Sequence, residues 1–143
     1  MKLFTIGFTK TSAEKFFSRL SKAHVKKLID VRLNNVSQLA GFAKKDDLRF
    51  FCEEIAHVSY EHHPDLAPTK PMLDEFKKQK GSWENYTEKF LQLMAHRKVE
   101  ELDRALFDDA CLLCSEDKPH HCHRRLVAEY LKNKWKDVDI IHL

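Results

Sequence analysis

The chain has 143 residues, a formal charge of +3 and 33% charged residues. This length suffices for a single domain over residues 1–143 whose core needs neither disulfides nor metal. Because Lys and Arg are interspersed with Asp and Glu, the composition allows nucleic acid as a partner but does not indicate it. The sequence has no signal-peptide pattern and no apolar run of about 18 residues, so we expect a cytoplasmic protein with no membrane partner.

Strand and helix patterns alternate along the chain. In chain order they are a strand Leu3–Ile6, a helix Ala13–Ala23, a strand Val25–Val31, a helix Leu48–Ile55, a strand Val58–Tyr60, a helix from Pro71 to Gly81, a helix from Ser82 through Met94, a helix Val99–Leu106, a strand Ala110–Cys114, a helix His121–Lys134 and a strand Val138–His142. This alternation predicts an α/β fold, with a mostly parallel sheet and helices on both faces. Its crossovers should be right-handed.

Polar residues follow the first two strands, where a ligand site is expected. Gly7 marks a bend after the first strand, and Asp30 and Arg32 lie at the carboxyl end of the second. Open α/β sheets bind ligands beyond the carboxyl ends of their strands. The polar segment Leu33–Lys45 is too long for a simple connector, so we predict a functional loop that can lie over the site. A second long loop, Glu61–Pro68, follows the third strand.

The most informative segment runs from the strand Ala110–Cys114 through a polar loop into the last helix. Free N–H groups at the start of that helix favour an anion. Glu116 and His123 can exchange protons there, and the guanidinium of Arg124 can bind an oxyanion through two hydrogen bonds. We therefore predict Glu116 and His123 as catalytic residues, with Arg32 across the pocket from Arg124. The predicted substrate-binding residues are Arg32, Arg124, Asp30, Gly7 and Tyr60.

Cys122 admits two interpretations. It lies near a helix N-terminus beside imidazoles and Arg124, surroundings that lower a thiol pKa and favour a nucleophilic thiolate. The other interpretation is a small, half-buried packing residue at the helix start. We include Cys122 among the catalytic candidates, and both interpretations stay open.

The cysteines also raise the question of a metal. Four cysteines are too sparse for a disulfide scaffold, but Cys111, Cys114 and Cys122 with neighbouring histidines superficially resemble a zinc site. Residues three apart in a strand point to opposite faces, so Cys111 and Cys114 should neither share a metal nor form a disulfide. We predict no metal or other cofactor and a core position for Cys111. A metal held by Cys114, Cys122 and one or two histidines stays open as the alternative.

Structural interpretations compete with these assignments. Arg32 can pair with Asp30 or Glu116 simply to hold loops together, since ion-pair networks occur without catalysis. His123 and Arg124 can cover the helix start as ordinary surface groups. A further group can offer stacking surfaces or imidazoles to a base, although such residues also pack in cores; it comprises Tyr60, His62, His63, Pro64, Asp65, Trp83 and Tyr86.

Three motifs resemble those of a known family. Thr5-Ile-Gly7, Asp30-Val-Arg32, and Cys114-Ser-Glu116 followed by Cys122-His123-Arg124 are similar to the signature of the domain of unknown function family 488. The stretch Leu33–Lys45 and the segment Leu66–Lys70 resemble one branch of that family. Phe8-Thr9 departs from it, because the family often has His or Tyr followed by Ser there. The resemblance implies a compact α/β domain with a shared polar site, and it implies no settled activity.

These features predict a small cytoplasmic enzyme that acts by acid–base chemistry on an anionic, phosphate-bearing substrate, either a nucleotide or nucleic acid. The alternative is a noncatalytic module that binds an anion, a nucleotide or a metal in the same pocket. The sequence leaves the reaction, the natural substrate and the oligomeric state open.

Overall fold

Five parallel strands form the central sheet. The computed structural model describes residues 1–35, 41–116 and 119–143, and within these ranges the strands are β1 (Lys2–Gly7), β2 (Lys27–Asp30), β3 (Ser59–His62), β4 (Ala110–Cys114) and β5 (Asp139–His142). Their order across the sheet is β3-β2-β4-β1-β5, and every neighbouring pair is parallel. The predicted α/β fold is confirmed, with a sheet that is parallel throughout these strands.

In the described part of the chain, five α-helices connect the strands. They are α1 (Ala13–Lys22) between β1 and β2, α2 (Lys45–Phe51) between β2 and β3, α3 (Lys70–Lys77) and α4 (Trp83–His96) between β3 and β4, and α5 (His123–Trp135) between β4 and β5. A π-helical turn, Cys52–Ala56, extends α2. Hydroxyl groups of Ser12, Thr69 and Ser82 cap α1, α3 and α4 by accepting backbone N–H hydrogen bonds. None of these helices is long and apolar enough to cross a membrane.

Different helices cover the two faces of the sheet. Leu112 of β4 belongs to a core cluster with Phe90 of α4 and Leu131 of α5. Leu113, the next residue along the strand, belongs to a second cluster with Phe16 of α1. Every residue of β4 is buried, as expected for the central strand of a parallel sheet with helices on both faces.

The same alternation separates the two cysteines of β4. Cys111 packs in the cluster that faces α1, whereas Cys114 packs in the cluster that faces α4 and α5. All four cysteines of the chain are free thiols. The predicted core position of Cys111 is therefore confirmed, and Cys111 and Cys114 form no disulfide.

The predicted helix Val99–Leu106 is wrong. Two short 3₁₀ turns, Val99–Glu101 and Arg104–Phe107, occupy this stretch. Asp103 between them is extended, and its carboxylate accepts a hydrogen bond from the N–H of Ala105. This side-chain cap begins a new turn and prevents the first one from continuing as an α-helix.

The polar segment Leu33–Lys45 is only partly a loop. It contains a 3₁₀ turn at Gly41–Ala43, and its last residue begins α2. Residues 36–40 lie outside the described residues. The expectation that this loop covers the site therefore stays a prediction.

The chain leaves the neighbouring strands β2 and β4 in opposite directions. From β2 it passes through α2 to the edge strand β3, and from β4 it passes through α5 to the opposite edge strand β5. A crevice forms beyond the carboxyl ends of the strands at such a reversal, because the two connections diverge. Residues that follow β2 and β4 therefore meet at a position suited to a ligand.

Gly7 ends β1 at a point where another loop crosses it. The N–H groups of Phe8 and Thr9 donate to the carbonyl of Ser115 at 3.3 and 2.9 Å. A Cβ on Gly7 would lie 1.5 Å from the carbonyl oxygen of Glu116. The absence of a side chain at Gly7 thus allows the loop after β4 to lie directly against the end of β1.

We predict that Gly7→Ala lowers the free energy of unfolding by about 1–3 kcal/mol, because the loop after β4 must move away from β1. Gly41→Ala is the matched control, since a Cβ there has no heavy atom within 4 Å. It should change stability by less than about 1 kcal/mol. Urea titration followed by circular dichroism measures both variants, and equal stabilities would contradict the close approach at Gly7.

Candidate functional site

A pocket of about 220 Å³ lies beyond the carboxyl ends of β2 and β4. The residues after β2 form one side, the segment that follows β4 and the start of α5 form another, and side chains of α3 and α4 complete it. Four residues predicted as site residues line this pocket: Arg32, Glu116, Cys122 and His123. The pocket therefore occupies the crevice that the sheet topology creates.

Arg32 is held at the pocket by a buried ion pair with Asp30. Its Nε and Nη2 donate to the two carboxylate oxygens at 2.8 and 2.7 Å, and its backbone N–H donates to Oδ1 at 3.1 Å. The Tyr60 hydroxyl donates to Oδ2 of Asp30 at 2.5 Å and accepts a hydrogen bond from Asn35. Asp30 and Tyr60, which do not line the pocket, thus fix the orientation of the Arg32 side chain.

The Arg32 guanidinium stays charged although its side chain is only 4% exposed. Burial by itself lowers the pKa of Arg32, but the hydrogen bonds and the charge of Asp30 outweigh burial and raise that pKa above its ordinary value. The ring of Phe8 adds a cation–π contact, with 5.2 Å between Cζ and the ring centroid. Nη1 of Arg32 is buried and has no hydrogen-bond partner among the residues that the structure describes.

Two thiols and an imidazole form a second buried cluster in the pocket lining. Cys114 is the last residue of β4, Cys122 immediately precedes α5, and His123 is the first residue of α5. One ligand atom of each lies within 4.8 Å of the other two. Cys114 Sγ is 3.5 Å from Nδ1 and 3.7 Å from Nε2 of His123. Nε2 is 2.6 Å from the carbonyl oxygen of Val31, which fixes the ring.

The two thiols differ in acidity. A hydrogen bond from the Cys122 thiol lowers the pKa of Cys114, and the N–H of Ser115 and the charge of Arg124 act in the same direction. Donation of that hydrogen bond, together with burial, raises the pKa of Cys122 well above its ordinary value. The lowered pKa expected for Cys122 is therefore wrong, because the hydrogen bond between the two thiols lowers the pKa of Cys114 and raises that of Cys122.

Glu116 and Lys77 bring opposite charges to the pocket. Glu116 Oε1 lies 3.4 Å from Nζ of Lys77, and the two side chains are 44% and 49% exposed. An exposed ion pair of this kind contributes about 0–1 kcal/mol, so a ligand can readily compete for either group. Glu116 therefore keeps a carboxylate that is accessible from the pocket.

Four planar side chains form what we call the aromatic wall of the pocket: Phe76, Trp83, Tyr86 and His121. Trp83 stacks on Tyr86 with ring centroids 5.4 Å apart and on His121 with centroids 4.9 Å apart. Phe76 packs against Tyr86 at 4.9 Å. Rings held in this way offer a rigid surface for a flat ligand group.

The other predicted binding residues lie behind the pocket lining: Arg124, Gly7, Asp30 and Tyr60. Arg124 is fully buried, and its Nη1 donates to the carbonyl of Glu116. Its Nε and Nη2 have no hydrogen-bond partner within residues 1–35, 41–116 and 119–143. The structure thus uses Arg124 to support the loop that carries Glu116, and it does not set Arg124 across the pocket from Arg32 as the sequence predicted.

Sequence reasoning misses some of the lining residues. Lys77 and Phe76 belong to α3, where helical periodicity marks a packing face and no motif indicates a site. Trp83 and Tyr86 are noted in the sequence only as weak stacking candidates, and both line the pocket. Their signal is the clustering of aromatic residues near the start of one predicted helix.

A family model described as domain of unknown function DUF488 matches residues 12–131 of this chain. The chain belongs to this family. The DUF488 match spans Arg32, Cys114, Glu116 and His123, whereas Gly7 of the first motif precedes it. Comparison with curated proteins and comparison with solved structures found no match. The pocket of this DUF488 domain is therefore the basis for a functional assignment.

We predict that Glu116→Gln changes the free energy of unfolding by less than about 1 kcal/mol, because its carboxylate contacts Lys77 in an exposed ion pair. Leu112→Ala removes a fully buried side chain of β4 and should cost about 2–5 kcal/mol. Thermal and urea unfolding compare the two. A loss in Glu116→Gln as large as that in Leu112→Ala would show that the carboxylate holds the loop together rather than serving the pocket.

Proposed function

We propose that this DUF488 domain is an enzyme that acts on a small anionic substrate carrying a phosphate group, with nucleotides as the leading class. Arg32 is the observation that carries the proposal. One edge of its guanidinium is held by Asp30, Nη1 is buried without a partner among the described residues, and the side chain lines the pocket. A buried donor left without an acceptor costs about 1–3 kcal/mol. A phosphate group in the pocket supplies a matching charge, and one of its oxygens can become that acceptor once neighbouring side chains move to uncover Nη1.

Lys77 supports the same assignment. It adds a second cation to a pocket in which Arg32 is already compensated by Asp30. Among the carboxylates that the structure describes, Glu116 forms the ion pair with Lys77, at 3.4 Å, and their contact is exposed. An anionic ligand can therefore replace Glu116 as the ion-pair partner of Lys77 with little loss of free energy. The Glu116 carboxylate is then free to contact the reacting group of the substrate.

The aromatic wall favours a substrate with a planar part. Trp83 and His121 stack at 4.9 Å and both line the pocket. Stacking of a base on an aromatic side chain contributes about 1–3 kcal/mol and accepts any base. A phosphate on the Arg32 side and a base on the aromatic wall together describe a nucleotide.

Glu116 is the group that we assign to proton transfer. Its carboxylate is accessible, whereas both ring nitrogens of His123 contact protein atoms, namely the Val31 carbonyl and Cys114 Sγ. A general acid or base must reach the substrate within hydrogen-bond distance. Of the acid–base pair predicted from the sequence, we therefore keep only Glu116 as the proton-transferring group. His123 instead contacts Cys114.

We predict that Lys77→Met weakens the binding of adenosine 5′-monophosphate about 3–10-fold, through loss of one pocket charge. Lys78→Met is the matched control, since it removes the same charge from the next residue, which pairs with Asp74 and does not line the pocket. Quenching of the tryptophan fluorescence, measured in a Trp135→Phe background so that Trp83 is the reporter, gives the affinity. Equal weakening by both variants would mean that only overall charge matters, which would contradict binding at this pocket.

We predict that Glu116→Gln retains nucleotide binding but lowers turnover about 10²–10⁴-fold, because it removes the proton-transferring group. The wild type is first screened against nucleotides and phosphate esters by phosphate release and by product chromatography. Binding with no turnover of any compound would favour the noncatalytic module over the enzyme. Full activity in Glu116→Gln would overturn the role of Glu116.

A further inference from the structure

Cys114, Cys122 and His123 form a compact set of metal-binding atoms. They meet because β4 ends at Cys114 and α5 begins at His123, so the loop between them returns the chain to the same point. The three residues are only 3–7% exposed, and all three line the pocket. Thiolate and imidazole ligands favour Zn²⁺ over the oxygen-preferring ions Mg²⁺ and Ca²⁺.

The spacing of these atoms suits a tetrahedral ion. Zn–S bonds of about 2.3 Å and Zn–N bonds of about 2.0–2.1 Å place neighbouring ligand atoms about 3.5–3.8 Å apart. Cys114 Sγ and His123 Nδ1 are 3.5 Å apart, and no two of the three ligand atoms are more than 4.8 Å apart. Side-chain rotations that draw the atoms together by about 1 Å and turn the Nδ1 lone pair towards the ion would complete the geometry.

His123 is oriented as a metal ligand usually is. Nε2 lies 2.6 Å from the carbonyl oxygen of Val31, just beyond β2. An imidazole that binds a metal through one nitrogen typically donates its other N–H to a carbonyl or a carboxylate, which fixes the ring. With Nε2 used in this way, Nδ1 is left for the metal, and Nδ1 is the nitrogen nearer to Cys114 Sγ.

We propose that Cys114, Cys122 and His123 bind one zinc ion in the pocket wall, with its fourth coordination position open to the pocket. Three protein ligands and one open position are the arrangement of catalytic zinc sites, whereas structural sites have four protein ligands. A zinc ion held there would lower the pKa of a water molecule at the open position to about 7, so that loss of one proton would give a hydroxide nucleophile. Glu116 lines the same pocket, and its carboxylate would take up the proton that such a water releases.

This inference goes beyond the proposed function, because zinc binds here whether or not a phosphate ligand occupies the pocket. Arg32 and Lys77 contribute no ligand to the metal. Zinc binding and nucleotide binding are therefore measured separately, the second by tryptophan fluorescence of metal-free protein in the Trp135→Phe background. If the protein binds no zinc, the nucleotide measurement still tests the proposed function, and if it binds no nucleotide, the zinc measurement still tests the metal site.

The experiment uses the untagged 143-residue chain in reducing buffer, stripped of metal by a chelator and titrated with Co²⁺ and then with Zn²⁺. We expect one Co²⁺ per chain, a thiolate-to-cobalt charge-transfer band and the intense visible bands of tetrahedral coordination. Zn²⁺ should displace Co²⁺ and abolish these bands. Absence of binding at one equivalent, or a cobalt spectrum without the thiolate band, would overturn the proposal.

Variants identify the ligands. Cys114→Ser, Cys122→Ser and His123→Gln should each weaken zinc binding more than about 100-fold, which exceeds the effect of losing an outer hydrogen-bond partner. Cys111→Ala and His120→Gln are the matched controls and should retain the wild-type affinity. Cys111 packs on the opposite face of the sheet, and His120 is exposed and does not line the pocket. Unchanged affinity in the three ligand variants would exclude this site.

The wild-type protein gives a measurement that does not depend on whether the variants fold. Zn²⁺ should slow the alkylation of Cys114 and Cys122 by iodoacetamide more than that of Cys52 and Cys111, as read by mass spectrometry of peptides, because the latter two change only through the stability of the fold. Thiol counting before the experiment confirms that all four cysteines are reduced. Equal rates at Cys114 and Cys122 with and without Zn²⁺ would contradict the proposal.

Discussion

The buried ion pair between Asp30 and Arg32 is the constraint on which the pocket depends. Both groups are removed from water, with 0% and 4% of their side chains exposed, and loss of either partner from such a pair costs about 3–5 kcal/mol. Asp30 also accepts a hydrogen bond from the hydroxyl of Tyr60, so one carboxylate links the end of β2 to the neighbouring strand β3. The guanidinium that faces the pocket is therefore positioned before any ligand arrives, which reduces the entropy lost on binding.

A second constraint is the close packing of two loops at the end of β1. Gly7 lies against the carbonyl of Glu116. The carbonyl of Ser115 accepts hydrogen bonds from two N–H groups after β1. The guanidinium of Arg124 also donates a hydrogen bond to the carbonyl of Glu116. These backbone contacts set the course of the chain after Cys114. They bring the start of α5 back to the end of β4, and they leave the Glu116 side chain at the pocket.

Much of this architecture follows from local sequence. The apolar run Ala110–Cys114 predicts a strand buried on both faces, and the period of two separates Cys111 from Cys114. The sequence does not predict the 3₁₀ turns at Val99–Glu101 and Arg104–Phe107, because the pattern of apolar residues there is helical. The helix is interrupted by a single capping carboxylate, that of Asp103. The sequence also does not predict that Lys77 lines the pocket. An exposed lysine on an amphipathic helix gives no indication that it will contact Glu116 in the loop after β4.

Local sequence determines three features of this protein, since periodicity and capping act over a few positions. These are the alternation of strands and helices, the face to which each strand residue points, and the polar residues at the strand ends. Local sequence does not determine how deeply a given side chain is buried in the folded protein. Arg32 and Arg124 look equivalent as anion-binding residues in the sequence, yet Arg32 lines the pocket and Arg124 lies beneath the loop that carries Glu116. Tertiary structure decides this difference, because distant segments complete the surroundings of each guanidinium, namely Phe8 against Arg32 and Gly7 at the end of β1 beside Arg124.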